Sequence, residues 1–135
     1  MSTVRTALAT VAVAALLVGS AACGGGGGAA GATADTDEGL KNNVKSYSLA
    51  YLAGDGQTAW DLLSARCQKR ITLAQMKEMT ATAAVTFGQH EISTYEADVH
   101  DTLARVTYTY ADAASINQDS EPWVKESGTW KQDDC

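Results

Sequence analysis

The sequence has few of the features that mark the common functional classes. It contains only two histidines, and it lacks the Gly-x-Ser-x-Gly, P-loop and His-Glu-x-x-His motifs of hydrolases, nucleotide-binding proteins and zinc peptidases. Lysines and arginines number 10 against 16 aspartates and glutamates, and they form no basic cluster. The formal net charge of −6 makes an anionic partner unfavourable. We therefore expect no metal, no cofactor and no nucleic-acid partner.

Long hydrophobic runs are also missing. The apolar stretch at residues 7–18 is much shorter than the roughly 20 residues that a membrane-spanning helix needs. Arg5 precedes this stretch and small residues follow it, so residues 1–22 are predicted to be a signal peptide. No transmembrane helix is expected elsewhere.

Cys23 directly follows the predicted signal peptide. The residues Val18-Gly19-Ser20-Ala21-Ala22-Cys23 resemble the lipobox of bacterial lipoproteins, in which the first mature residue is a lipidated cysteine. Ser20 stands where that family prefers leucine, and residues 20–22 also fit an ordinary cleavage site. We expect a lipid anchor on Cys23 and a location on the outer face of the bacterial cell membrane, with plain secretion as the alternative.

The chain has three cysteines, and lipidation of Cys23 would leave Cys67 and Cys135 as a pair. Exported proteins fold in an oxidising compartment, where two free thiols tend to join. A disulfide between Cys67 and Cys135 is therefore predicted, with two unpaired thiols as the alternative.

The remainder of the chain is predicted to form a tether and one domain. Residues 23–39 are rich in glycine and alanine and then acidic, which is typical of a flexible linker. Residues 40–135 suit a single α+β domain, with three helices followed by three to four antiparallel strands. The apolar periodicities place helices at 40–53, 58–67 and 72–81, and strands at 89–99, 103–110, 122–126 and 129–132.

Several motifs in this domain together resemble the nuclear transport factor 2-like (cystatin-like) fold of small actinobacterial lipoproteins and secreted proteins. A first helix with two tyrosines leads into Gly54-Asp55 and then Ala59-Trp60-Asp61-Leu62-Leu63. Later come Leu103-Ala104-Arg105-Val106-Thr107-Tyr108 and the segment Gly128-Thr129-Trp130-Lys131. The resemblance implies a curved sheet wrapped around the first helix as a cone, a cysteine pair like Cys67 and Cys135, and possible dimerisation.

Enzymes of this fold use an acidic residue or a histidine inside the cone. Five residues are candidates for that role, and we expect them to lie mostly on the solvated surface: Asp61, His90, Asp98, His100 and Asp112. A second set could line an amphipathic pocket or simply fill the core: Tyr47, Tyr51, Trp60, Val106 and Tyr108.

These patterns favour an exported lipoprotein domain that is not an enzyme. It would bind a small apolar ligand or another protein of the cell envelope. The alternative is a small enzyme of the isomerase or dehydratase type, which the resemblance alone supports.

Overall fold

A computed structural model describes the backbone of residues 28–135 and the side chains from Glu38 onward. Four helices precede a four-stranded antiparallel sheet, which gives the expected α+β class. The helices are α1 (Gly28–Ala53), α2 (Gly56–Asp61), α3 (Ala65–Gln68) and α4 (Leu73–Thr86). The strands are β1 (Ile92–His100), β2 (Leu103–Tyr110), β3 (Gln118–Glu126) and β4 (Thr129–Gln132).

The predicted signal peptide and Cys23 lie outside the described residues. Within the described part, no helix combines the length and the apolar character that crossing a membrane requires. Helix α1 begins at Gly28, inside the segment predicted to be a tether. Four alanines between residues 29 and 34 favour this helical extension, because alanine has the highest intrinsic helix propensity.

The predicted helix at residues 58–67 is interrupted, so the domain has four helices and not three. Leu63 leaves the helical path to form a parallel bridge with Gln132. The Ser64 backbone N–H donates to the Gln132 carbonyl at 2.8 Å, and the Ser64 hydroxyl accepts from the Cys67 N–H as the N-cap of α3. A long-range contact to β4 therefore ends α2 and starts α3.

Each strand of the sheet pairs with the next strand in the sequence, in the order β1-β2-β3-β4. Strand β2 has the predicted bounds, and its alternate residues face inward and are buried: Ala104, Val106, Tyr108 and Tyr110. Strand β3 begins at Gln118, four residues before the predicted start. Two of the added residues, Gln118 and Glu121, line a cavity on the inner face of the sheet.

Two hydrophobic clusters hold the domain together. In the first, Leu40 and Val44 of α1 pack against Val106, Trp123 and Trp130 of the sheet, and all five are at most 2% exposed. The second lies among the short helices and α4, and includes Ala59, Leu63, Cys67 and Met76. The side chains of Tyr47 and Tyr51 pack against both clusters, so α1 joins the helical layer to the sheet.

Helix α2 packs closely on α4 at Gly56. A Cβ atom at this position would lie 2.6 Å from the Cα of Lys77, which is closer than side chains approach a backbone. The absence of a side chain at Gly56 therefore sets the distance between the two helices.

Candidate functional site

A cavity of about 220 Å³ lies between α1, α4 and the inner face of the sheet. Four tyrosines line it: Tyr47 and Tyr51 from α1, and Tyr108 and Tyr110 from β2. Apolar side chains complete much of the wall, among them Met76, Ile116 and the partly exposed Met79 and Phe87. The polar lining residues are Ser48, Gln118, Glu121 and Asp134. This combination of aromatic surface and a few polar groups is typical of a small-molecule site.

The spacing of the tyrosines follows from the elements that carry them. Tyr47 and Tyr51 are four residues apart and therefore share one face of α1, with ring centroids 5.9 Å apart. Tyr108 and Tyr110 are two residues apart on β2 and share its inner face, with centroids also 5.9 Å apart. The helix and the strand thus present two aromatic pairs to one cavity.

Glu121 is the buried acid of the cavity, with 6% of its surface exposed. Its Oε2 accepts from the indole N–H of Trp123 at 2.8 Å. Its Oε1 accepts from the Gln132 amide at 3.3 Å and from the Tyr108 hydroxyl at 3.5 Å. Burial raises the pKa of the Glu121 carboxyl, and these donors oppose that rise because they stabilise the charged form.

A β-bulge brings Glu121 and Gln118 to the same face of β3. Val106 lies opposite Glu121 and Tyr108 opposite Gln118, so β3 uses one residue more than β2 over this stretch. The extra residue is accommodated at Ser120, whose backbone has a φ of 57°. In a regular strand, residues 118 and 121 would point to opposite faces. The bulge therefore adds a second polar side chain to the cavity wall.

The phenols of the cavity remain neutral over the physiological range. Burial raises the pKa of Tyr47 and Tyr108 well above the usual tyrosine value, and nearby Glu121 raises both further. Tyr110 and Ser48 share a hydrogen bond of 2.6 Å between their hydroxyl groups, which connects β2 to α1. The tyrosines can offer aromatic rings and neutral hydroxyls to a ligand.

The segment after β4 closes one side of the cavity through Asp134. Its neighbours anchor it: a disulfide joins Cys135 to Cys67, and Arg66 Nε donates to Asp133 at 3.1 Å. The Cys135 carbonyl also accepts from Arg70 Nη1 at 2.8 Å. The predicted cysteine pairing is therefore present in the structure, and it holds a wall of the cavity.

Three of the five candidate pocket-lining residues contribute to the cavity: Tyr47, Tyr51 and Tyr108. Trp60 lies in the second cluster, where its indole N–H donates to the Ile71 carbonyl at 2.9 Å. Val106 is fully buried in the first cluster. Trp60 and Val106 thus have packing roles.

The five acid–base candidates do not line the cavity: Asp61, His90, Asp98, His100 and Asp112. Asp98 and His100 form an exposed pair with 3.2 Å between carboxylate and imidazole. Among the described residues, no three His, Cys, Asp or Glu side chains come close enough to hold a metal ion.

Glu121 was absent from the predicted site residues because the predicted strand began at Pro122. Extending the alternation backward from the buried Trp123 would have placed Glu121 on the same inward face. The sequence therefore contained a signal for Glu121. It contained no signal for the bulge that adds Gln118 to the cavity wall.

These observations define a class of protein: an α+β domain with an aromatic cavity between its first helix and its sheet. Among solved structures, a Campylobacter jejuni protein provisionally described as an NTF2-like transpeptidase is similar, with a TM-score of 0.54 and 12% sequence identity. The alignment covers 70% of this chain and 97% of that one. The likeness supports a nuclear transport factor 2-like fold and, at this identity, shows nothing beyond the fold. No family model matches the sequence, and no curated protein matches it.

Proposed function

We propose that this protein is a lipid-anchored binding domain of the bacterial cell envelope, and that its cavity holds a small amphipathic molecule. The observation that carries the binding role is the cavity itself, in which four tyrosines surround one buried carboxyl group. Aromatic rings supply contact area, while Glu121 and the hydroxyls fix the orientation of a ligand.

Binding is favoured over catalysis by the groups around Glu121. Trp123 and Gln132 donate to its carboxyl group and orient it. Acid–base catalysis commonly pairs such a carboxyl group with a second side chain that carries a proton to or from the substrate. Among the described residues that line the cavity, no histidine or lysine is placed to act as a second proton carrier.

The rim of the cavity offers a direct test with a matched control. Phe87 lines the cavity and is 42% exposed, whereas Val85, two residues earlier, is 90% exposed and does not line it. Phe87→Ala should weaken ligand binding several-fold, and Val85→Ala should leave it unchanged. Neither side chain belongs to the two buried clusters, so both variants should fold.

Native mass spectrometry of the protein purified from bacterial membranes identifies the ligand for this test. A mass present natively and lost on denaturation supports the binding role. If no such mass appears, and the Phe87 and Val85 variants behave alike toward a panel of amphipathic probes, the binding role is refuted.

A second candidate function is general acid–base catalysis by Glu121. It is favoured by the burial of this carboxyl group, which raises its pKa, since catalytic acids and bases are often perturbed by burial. Incubation of the identified ligand with protein in D₂O distinguishes the two functions. Recovery of unchanged, unlabelled ligand supports binding, whereas conversion or deuterium uptake that Glu121→Gln abolishes supports catalysis.

The anchor is proposed from Cys23 and the segment before it. Cys23→Ala should move the protein from the membrane fraction to the soluble fraction, because the lipid would have no acceptor sulfur. Ser20→Ala, in the same segment, is the control and should stay in the membrane fraction. If the Cys23 variant also stays there, the lipid anchor is refuted.

A further inference from the structure

We propose that the ligand of this cavity is a small organic cation, with an ammonium group on an apolar body. This inference rests on the proposed binding function and names the chemical class of its ligand.

The charges of the wall are of one sign. Glu121 and Asp134 line the cavity, and none of the described lining residues is lysine, arginine or histidine. The two arginines that contact the segment after β4 are already engaged, since Arg66 pairs with Asp133 and Arg70 donates to the Cys135 carbonyl. A cationic ligand would therefore supply the counter-charge that the cavity lacks, while an anion would be repelled.

The aromatic surface also favours a cation. Ammonium groups are attracted to the faces of aromatic rings, and the attraction strengthens where water is excluded. Two tyrosine pairs, one from α1 and one from β2, border the same cavity. Tyrosine side chains carry no positive charge in either protonation state, so these rings attract a cation without competing with it.

The Glu121 carboxyl group has unused capacity to accept hydrogen bonds. Its Oε2 has one short bond from Trp123 at 2.8 Å, but the two bonds to Oε1 are long, at 3.3 and 3.5 Å. The Oε1 atom of Gln132, on the amide that donates to Glu121, is a buried acceptor without a partner among the described residues. An ammonium group would add strong charge-assisted donors beside an under-satisfied carboxylate oxygen.

The size of the cavity limits the ligand. Its volume of about 220 Å³ is below the roughly 300–1,000 Å³ of most ligand pockets. A single ring or a short branched chain carrying the ammonium group fits this size. The partly exposed Met79 and Phe87 at the rim would contact a longer apolar portion.

Isothermal titration calorimetry with three probes of matched shape tests the proposal: benzylamine, which is protonated at pH 7, benzyl alcohol and benzoate. We expect benzylamine to bind at least tenfold more tightly than benzyl alcohol, and benzoate to bind more weakly than either. Glu121→Gln should reduce the preference for the amine over the alcohol to threefold or less, with the affinity for the alcohol retained.

Two exposed positions keep the test valid if the Glu121 variant does not fold. Asp134→Asn removes a charge from the cavity wall and should reduce the amine preference two- to fivefold. Asp119→Asn removes the same charge from an exposed residue outside the cavity and should change nothing. If both variants lose the amine preference equally, the preference reflects only the net charge of the protein, and the proposal is overturned.

Failure of this inference and failure of the binding role are distinguishable. Equal binding of amine and alcohol, or no binding of any probe, overturns the ammonium proposal. The binding role then depends only on the native mass experiment, in which a neutral or anionic ligand would support binding and refute the cation.

Discussion

Replacing Cys135 by serine removes the covalent link between α3 and the segment after β4. The disulfide closes a loop with a sequence separation of 68 residues. For a loop of that length, the loss of chain entropy in the unfolded state corresponds to about 4 kcal/mol. Small domains have total stabilities of about 5–15 kcal/mol, so the loss would be a large fraction of the total.

The folded structure should survive this change because other contacts hold the same segment. The Gln132 N–H donates to the Leu62 carbonyl at 2.9 Å, and the Ser64 N–H donates to the Gln132 carbonyl at 2.8 Å. Cys135→Ser is preferable to Cys67→Ser, since Cys67 is fully buried and a hydroxyl there would add a desolvation cost.

Urea unfolding followed by tryptophan fluorescence measures the effect, because Trp123 and Trp130 are buried in the first cluster. We expect Cys135→Ser to lose about 4 kcal/mol of unfolding free energy and to show a larger dependence on urea, since its unfolded chain is less compact. Wild-type protein in reducing buffer should match the variant. A loss below about 1 kcal/mol, or a wild-type midpoint that reductant does not move, would refute the loop-entropy reasoning.

Two further predictions concern packing and pH. Gly56→Ala places a Cβ atom 2.6 Å from the Cα of Lys77, so α2 and α4 must separate, and we expect a loss of about 1–3 kcal/mol in urea unfolding. Gly39→Ala is the control: its Cβ meets nothing within 4 Å, and alanine suits a helix better than glycine, so no loss is expected. Burial raises the pKa of Glu121 above its ordinary 4.5, so the folded chain holds a proton that the unfolded chain has already released. Stability should therefore fall as pH rises from about 4.5 through the folded-state pKa, and Glu121→Gln should flatten this part of the profile measured by thermal unfolding. An unchanged profile in that variant would contradict the assignment.

Local patterns in the sequence predict much of the fold. Strand β2 could be predicted to its bounds because strict alternation from Ala104 to Tyr110 has one interpretation. Strand β4 also has its predicted bounds, and the preceding Ser127 and Gly128 both adopt the left-handed conformation that a tight hairpin needs.

Features that depend on distant partners could not be predicted in this way. The break between α2 and α3 arises from the pairing of Leu63 with Gln132, and nothing near Leu63 in the sequence signals it. The bulge at Ser120 depends on the register of β3 against β2, which is a property of two strands together. Three cavity tyrosines could be named from helical and strand periodicity. Gln118 could not, because only the bulge at Ser120 places it in the cavity wall. Glu121 was left out because the predicted strand started at Pro122.

The order of strands in the sheet has a consequence for how the chain folds during synthesis. Each strand pairs with its successor, so the sheet can grow from hairpins that close short loops at little entropic cost. The helices emerge first but pack against strands that follow them, and Leu40 and Val44 of α1 have no apolar cover until β2, β3 and β4 are in place. The nascent chain is therefore expected to expose an apolar helix face until late in folding, which is the kind of surface that chaperones bind.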